Sequence, residues 1–212
     1  MTLRVETITN GPFQENCFLL WDDAEKTGIL IDPGDEPDRI ARTAAFLGVK
    51  VELICNTHGH IDHAGGVARI KELLGAPFAM HADDAFLLDS MPSQAGMFGL
   101  PPMEIPKVDR ELGHGDTIRF AGHEGQVIHT PGHTPGGCCF LFGDLIFVGD
   151  TLFAGSVGRT DLPGGSARAL IDSIKTRLLT LDDRVRVFCG HGPATTIGSE
   201  RGHNPFLNGA MW

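Results

Sequence analysis

The sequence has no tyrosine, only two tryptophans, no excess of basic residues and no long apolar run in its 212 residues. Its formal charge of −10 argues against nucleic acid or an anionic membrane as the main partner, because both attract basic surfaces. A membrane-spanning helix needs about 20 consecutive apolar residues, and none occur. The residues before Phe13 lack the basic region and apolar run of a secretory signal, so none is expected.

The cysteines do not form a disulfide pattern. There are five of them, an odd number, and none has the C-x-x-C spacing, whereas a disulfide framework favours an even set in a shorter, secreted chain. We therefore expect reduced cysteines and a cytoplasmic protein. With 42% hydrophobic residues the chain can form a core, and its length favours a single domain covering residues 1–212.

Short apolar strands and amphipathic helices alternate along the sequence. This pattern predicts an α/β fold in which two sheets pack together with helices outside. The segment Ser90–Pro106 is rich in Pro, Met and Gly without a clear period, and it is predicted to be a loop. Strands are predicted at Leu3–Thr9, Cys17–Trp21, Gly28–Ile31, Val51–Cys55, Pro77–His81, Thr117–Phe120, Gln126–His129, Gly137–Phe142, Leu145–Val148 and Val185–Cys189, and helices at Pro37–Leu47, Val67–Leu74, Asp83–Leu88, Ala167–Leu179 and Ser199–Phe206.

A cluster of histidines follows the predicted strand that ends at Cys55. It reads His58-Gly59-His60-Ile61-Asp62-His63 and stands where a strand gives way to a helix. In an extended backbone, residues two apart point the same way, so His58 and His60 can share one metal ion. Imidazole nitrogens and carboxylate oxygens suit zinc and other borderline divalent ions. The alternative is a surface loop with accidental histidines, but the density of ligands favours a metal site.

Three later positions offer further ligands. His133, Asp150 and His191 each stand just past a predicted strand and beside glycine, where side chains from different strands can converge on one sheet edge. Each position alone is weak evidence, because a histidine in a turn is seldom a ligand. With the first cluster they make a predicted metal-ligand set of five histidines and two aspartates: His58, His60, Asp62, His63, His133, Asp150 and His191.

These residues, in this order, resemble those of the metallo-β-lactamase superfamily. The resemblance extends to Asp32 in Ile31-Asp32-Pro33-Gly34, which is similar to the aspartate that the superfamily places behind its metal ligands. It implies a four-layer αβ/βα sandwich with two metal ions at one edge. By this resemblance, one ion is held by His58, His60 and His133, the other by Asp62, His63 and His191, and Asp150 bridges them.

A bridging carboxylate resembles the glyoxalase II branch, since β-lactamases with two zincs often carry a cysteine there. More narrowly, the chain resembles the short bacterial YcbL-type hydroxyacylglutathione hydrolases. Zinc is the first expectation for the two ions, with iron or manganese as alternatives. The matching segments are Met97-Phe98-Gly99-Leu100, Gly158-Arg159-Thr160-Asp161, Glu200-Arg201 and His203-Asn204-Pro205-Phe206.

The chemistry that such a site supports is hydrolysis by a metal-bridging hydroxide. Two ions about 3.5–4 Å apart lower the pKa of a water held between them, and Asp62 is placed in sequence to orient it as a catalytic residue. The metal ligands alone do not distinguish a thioester substrate from a lactone, an amide or a phosphodiester. The substrate class is implied by the resemblance, which indicates hydrolysis of glutathione thioesters such as S-lactoylglutathione.

The resemblance also implies a substrate-binding residue, Arg159, because the glyoxalase II enzymes carry a basic residue for a glutathione carboxylate in the loop after the bridging aspartate. A guanidinium can hold a glutathione carboxylate through two parallel hydrogen bonds, and an ion pair with Asp161 is the equally weighted alternative. The longer glyoxalase II enzymes grip glutathione with tyrosines and a C-terminal helical domain, and this sequence has neither. The loop Gln94–Pro101 and the segment Arg201–Phe206 could replace them. Met97 and Phe98 could form an apolar lip there, but buried packing is the favoured interpretation.

Three rival functions remain at this stage. The first is a persulfide dioxygenase of the same fold, which would use a single iron held by residues matching His58, His133 and Asp150. The second is a nuclease or phosphodiesterase of the superfamily, against which the charge of −10 counts. The third is a non-catalytic binding protein, which the complete ligand set disfavours. The sequence leaves the oligomeric state open.

Overall fold

A computed structural model describes residues 2–209 of the chain. Its contacts divide it into two compact units. The first covers residues up to Leu112 together with Arg119–His123, and the second covers Gly113–Ile118 together with the residues from Glu124 onward. There are two six-stranded sheets, both mixed, with helices between strands, so the predicted α/β class is confirmed. That the two units form a single domain stays a prediction.

The first sheet belongs to the first unit and has its strands in chain order. Its first three strands pair antiparallel and the last four pair parallel. The carboxyl ends of β3, β4 and β5 therefore lie at one edge of the sheet. The strands are β1 (Leu3–Asn10), β2 (Glu15–Asp22), β3 (Thr27–Ile31), β4 (Lys50–Cys55), β5 (Phe78–Met80) and β6 (Arg110–Glu111), and the helices are α1 (Pro37–Leu47), α2 (Ile61–Ala64), α3 (Val67–Leu74), a 3-10 turn (Ala82–Asp84) and α4 (Ala85–Phe98).

Helix α1 shows how the sequence sets these elements. Pro37 begins it, where the missing proline N–H costs no helical hydrogen bond, and Gly48 ends it in a left-handed conformation with φ 69°. Ile40 and Ala44, four residues apart, lie on its buried face. They join an apolar core that is formed with the inner faces of the strands, so the amphipathic pattern, bounded by Pro37 and Gly48, predicted this helix correctly.

The predicted loop Ser90–Pro106 is wrong over its first half, because α4 continues to Phe98. Proline inside a helix costs about 3 kcal/mol, and Pro92 was a reason not to expect one. The helix persists since it buries Leu87, Leu88, Met91 and Ala95 at helical spacing, and together these side chains outweigh that cost.

The end of α4 also departs from expectation. Met97 and Phe98 are 82% and 56% exposed, so their predicted burial is wrong. They occupy the last turn of the helix, beyond the face that Met91 and Ala95 turn to the core. The Phe98 ring meets Phe13 edge to face, with 5.6 Å between the ring centroids. These exposed apolar side chains are consistent with the alternative interpretation, in which Met97 and Phe98 form an apolar lip.

The second sheet has the order β14-β13-β10-β9-β8-β7. Strand β9 is antiparallel to both β8 and β10, and β13 is parallel to β10. Hence β8, β10 and β13 run in one direction, and their carboxyl ends share an edge. The strands are β7 (Thr117–Phe120), β8 (His123–His129), β9 (Cys138–Phe142), β10 (Leu145–Gly149), a separate hairpin of β11 (Leu152–Phe153) and β12 (Ser156–Val157), β13 (Arg186–Cys189) and β14 (Thr195–Thr196), and the helices are α5 (Ala167–Ser173), a π-helical turn (Ile174–Leu178) and α6 (Ile197–His203).

Most predicted elements are present with small shifts at their ends. The predicted helix Ala167–Leu179 exists, but it changes from α- to π-helical hydrogen bonding at Ile174. The two-residue strands were not predicted, because two residues show no period.

All five cysteines are free and buried, which agrees with the expected reduced state. Among residues 2–209, no helix has the length and apolar character that crossing a membrane requires.

Two methionines of α4 test its extent. Met91 is fully buried and Met97 is 82% exposed, six residues further along. We expect Met91→Ala to lower the free energy of unfolding by about 2–5 kcal/mol through the cavity it leaves. Met97→Ala, the control, should stay within about 0.5 kcal/mol of the parent protein. Urea denaturation of both variants measures this, and equal losses would contradict a helix that buries one face.

Candidate metal centre

The first group of candidate ligands follows β4 in the first unit. His58, His60 and His63 are buried, and the Asp62 side chain is 20% exposed. The ring centroid of His58 lies 4.9 Å from that of His60 and 4.1 Å from that of His63. The four ligands predicted here thus lie on one short segment beyond the carboxyl end of a buried strand, and the His58 ring lies against those of His60 and His63.

Asp32 fixes this group from the end of the neighbouring strand, β3. Its carboxylate accepts hydrogen bonds from the backbone N–H and the hydroxyl of Thr57, both at 2.6 Å, and its Oδ2 lies 3.1 Å from Nδ1 of His63. Thr57 Oγ1 is in turn 3.0 Å from Nδ1 of His58. With Nδ1 of each ring held by an oxygen, Nε2 is the nitrogen left to bind a metal. This is the position behind the ligands that the resemblance implied for Asp32.

The backbone around Asp62 and His63 is packed too tightly for any side chain at Gly34. A Cβ there would lie 1.5 Å from the carbonyl oxygen of Asp62 and 3.1 Å from the backbone nitrogen of His63. Asn56 adds a hydrogen bond of 2.8 Å from its Nδ2 to the carbonyl oxygen of His63. The loop after β3 therefore sets the position of α2 and of the two ligands on it.

Glu15 is a polar group near this site that the sequence did not single out. It begins β2, is 1% exposed, and its Oε1 lies 3.8 Å from Nδ1 of His63. Its Oε2 accepts a 2.7 Å hydrogen bond from Nδ2 of Asn10. Burial raises the pKa of this carboxyl well above its ordinary value, against the opposing effect of His63. The feature of the sequence that could have indicated a buried polar role for Glu15 is the pair Glu15-Asn16 at the start of a mostly apolar strand.

The second group of candidate ligands lies in the second unit, after β8, β10 and β13. The Oδ2 atom of Asp150 is 3.6 Å from Nε2 of His133 and 3.7 Å from Nε2 of His191. The Nδ1 atom of His133 lies 2.7 Å from the carbonyl oxygen of Arg159, a contact that requires a proton on Nδ1 and leaves Nε2 as the ligand atom. A carboxylate oxygen between two imidazoles is the arrangement that a bridging ligand needs.

Arg159 forms the ion pair with Asp161 that was the alternative to substrate binding. Its Nε and Nη2 each donate a 2.8 Å hydrogen bond to the Asp161 carboxylate. These bonds lower the pKa of Asp161 to about 2. Both side chains are exposed, and they stand at a surface cavity of about 310 Å³ whose lining includes Leu170 and Phe206. Binding of substrate by Arg159 stays a prediction.

Comparison with known proteins identifies the family. The sequence profile of the metallo-β-lactamase superfamily matches residues 10–191, a span that includes all seven candidate ligands. The chain belongs to this superfamily. Hydroxyacylglutathione hydrolase GloC of Haemophilus influenzae is 40% identical to it over 210 residues, covering 97% of this chain and 99% of GloC.

Two solved structures share the fold over their whole length. The B3 metallo-β-lactamase BLEG-1 has a TM-score of 0.90 at 32% identity, covering 97% of this chain and all of that one. TTHA1623, solved in a di-iron-bound form, has a TM-score of 0.85 at 42% identity, covering 96% of this chain and all of that one. The predicted metallo-β-lactamase fold is therefore confirmed, and a metal-dependent hydrolase superfamily accounts for the donor-rich clusters of both units.

Substitution of Gly34 tests how tightly the first group is fixed. We expect Gly34→Ala to displace α2 with Asp62 and His63, and to weaken metal binding by about 10–100-fold. Gly75→Ala is the control, since open space surrounds that glycine and only its positive φ of 66° adds strain. Metal retained after dialysis against a chelator measures the effect. Equal retention by both variants would contradict the packing described for Gly34.

Proposed function

We propose that this protein is a metal-dependent hydrolase of glutathione thioesters of the S-lactoylglutathione type. Its 40% identity to a hydroxyacylglutathione hydrolase over nearly the full length of both chains carries the proposal. The aspartate at position 150 supports it, because its carboxylate lies near two imidazoles where a bridging ligand would be needed. The substrate class, a thioester, belongs to this proposal, because membership of the superfamily does not specify the substrate.

In this proposal the two ligand groups serve one centre of two divalent ions. The family match spans both units, and the donors are imidazole nitrogens and carboxylate oxygens, which suit zinc, iron and manganese. Zinc is the first candidate, and iron is favoured next by the di-iron form of TTHA1623. One ion would be held by His58, His60 and His133, the other by Asp62, His63 and His191, with Asp150 shared between them.

The ions, when bound, would act as Lewis acids and lower the pKa of water. The remaining steps belong to the chain. Asp62 would orient the attacking water through its second carboxylate oxygen and take its proton. As the water oxygen bonds to the carbonyl carbon, the carbon–sulfur bond breaks and its electron pair leaves with the thiolate. Asp62 then gives this proton to the thiolate sulfur, and the carboxylic acid that has formed loses its remaining proton to solvent, so the products are a carboxylate and free glutathione.

Arg159 would recognise a glutathione carboxylate. The Arg159–Asp161 pair is exposed, so water screens it and a second carboxylate can replace Asp161 at small cost. The adjacent cavity, lined in part by Leu170 and Phe206, offers apolar surface for the rest of the peptide. This mode of binding uses no tyrosine, in agreement with the composition.

The cellular setting follows from the same proposal. Glutathione and its thioesters are small and soluble, so no nucleic acid or membrane partner is required. Five free, buried cysteines suit a reducing compartment, and we assign the protein to the cytoplasm on that ground.

Removal of Asp150 tests the proposed activity. We expect Asp150→Ala to lose bound metal and to lower turnover of S-lactoylglutathione by at least about 10²–10³-fold. Asp144→Ala, which removes an exposed aspartate at the other end of β10, should leave both unchanged. Unchanged thioesterase activity in Asp150→Ala would contradict the bridging role. One iron per chain with oxygen uptake on glutathione persulfide would instead establish the dioxygenase alternative.

Substitution of Arg159 tests substrate recognition separately from chemistry. We expect Arg159→Ala to raise KM for S-lactoylglutathione about ten-fold with a smaller change in kcat, because the lost bond forms equally with substrate and transition state. Arg168→Ala, which removes another exposed guanidinium of the same unit, is the control. Steady-state kinetics with a thioester that lacks glutathione should show no effect of either change. If Arg159→Ala leaves KM unchanged, Arg159 does not bind the substrate and its role is limited to the ion pair with Asp161.

A further inference from the structure

The segment that follows β14 contains two buried polar side chains which the proposed reaction does not use. Glu200, in α6, is 3% exposed, and Asn204, just after it, is fully buried. Glu200 Oε1 accepts a 2.6 Å hydrogen bond from the hydroxyl of Thr195, and Oε2 accepts one of 2.8 Å from Nδ2 of Asn204. Helix α6 itself begins with a different cap, Thr196, whose hydroxyl accepts from the backbone of Ser199.

Both side chains also bind the β11–β12 hairpin. Glu200 Oε2 accepts a 2.9 Å hydrogen bond from the N–H of Gly155, and Asn204 Nδ2 donates one of 2.9 Å to the carbonyl oxygen of Ser156. Gly155 and Ser156 form the tip of the hairpin and the start of its second strand. A buried carboxylate and a buried amide are therefore used to hold a turn that is 45 and 48 residues away in sequence.

The hairpin and the two residues after it reach all three candidate ligands of the second unit. The Phe153 ring lies edge-on to His191, with 6.3 Å between the ring centroids. Gly158 packs so closely that a Cβ there would be 1.8 Å from the carbonyl oxygen of Asp150. The carbonyl oxygen of Arg159 is 2.7 Å from Nδ1 of His133. One segment, 152–159, thus contacts each ligand and fixes the tautomer of one of them.

We propose that Glu200 and Asn204 are positioning residues for the metal ligands His133, Asp150 and His191, acting through the segment 152–159. The inference rests on the metal centre proposed above. Neither residue touches a ligand, and each acts by holding Gly155 or Ser156 in the segment 152–159, whose residues Phe153, Gly158 and Arg159 do. Groups that orient metal ligands in this indirect way typically change metal affinity by about 10–100-fold when they are removed.

The experiment is a zinc titration of the metal-free full chain in competition with a chromophoric chelator. The variants are Glu200→Ala, Asn204→Ala, Thr195→Val and Glu200→Gln. Asn208→Ala is the matched control. Like Asn204, Asn208 donates from Nδ2 to a backbone carbonyl oxygen, but its acceptor is Gly202 in α6 and not a residue of the hairpin. Circular dichroism and thermal unfolding of each metal-free variant are recorded beside the titration.

We expect Glu200→Ala and Asn204→Ala to weaken zinc binding by about ten-fold or more, and Thr195→Val by less. Glu200→Gln should recover most of the affinity, because its amide oxygen can accept from Gly155 and Asn204 while its NH₂ group donates to Thr195 Oγ1. In folded variants kcat for S-lactoylglutathione should fall more than KM changes, since the substrate-binding groups remain.

Two results would overturn the inference. One concerns zinc affinity and the other folding. Zinc affinity contradicts the inference if folded Glu200→Ala and Asn204→Ala bind as the parent does, or lose no more affinity than Asn208→Ala. Folding contradicts it if both alanine variants fail to fold without metal, because the inference gives the pair a local role in segment 152–159. Absence of zinc binding by the parent protein would instead count against the proposed metal centre, so the two failures are distinguishable.

Discussion

A histidine that binds a metal must present one ring nitrogen without its proton, and this requires the other nitrogen to be held by an acceptor. The described structure meets this requirement in both units by different means. In the first unit a buried carboxylate, Asp32, lies against Nδ1 of His63, and in the second a backbone carbonyl, that of Arg159, lies against Nδ1 of His133. The positions of Asp32 and Arg159 in turn depend on β3 and on the segment after β12.

The sheets make these contacts possible. Within the first sheet β3–β6 run in one direction, and within the second sheet β8, β10 and β13 do so; every candidate ligand stands shortly after the carboxyl end of such a strand. The strands that lead to these ligands are mostly buried near their carboxyl ends, so the positions at which the loops begin are fixed. Polar side chains buried at the loop bases, Asp32 in one unit and Glu200 in the other, then tie neighbouring loops together with several hydrogen bonds each. Rigid strands and satisfied buried polar groups are what hold a ligand set in register.

Much of this could be predicted from the sequence, and what could not has physical reasons. The segment His58–His63 was recognisable because all its ligands are local in sequence. His133, Asp150 and His191 are each weak evidence alone, since nothing local distinguishes a turn histidine from a ligand, and their support came from the first cluster and from the family resemblance. The predicted helix ended before α4 does, because Pro92 argues against a helix when only the local sequence is considered. The burial that stabilises α4 comes from tertiary packing, which the local sequence does not show.

Other features depend on contacts that no local pattern reveals. Glu15 is close to His63 only because β2 passes that site, and its buried position raises its pKa. The exposure of Met97 could not be inferred from its apolar character, since both faces of α4 carry apolar residues. Glu200 and Asn204 lay within segments that resembled a known family, but their partners 45 and 48 residues earlier gave them a role only in three dimensions.

In the proposed function the two ligand groups share one dinuclear centre through Asp150. Anomalous diffraction from crystals of the metal-loaded protein, recorded at the absorption edge of the bound metal, would locate the ions. We expect two peaks about 3.5–4 Å apart, with carboxylate oxygen of Asp150 contacting both. A single peak held by one group, or two peaks of which Asp150 contacts only one, would contradict it.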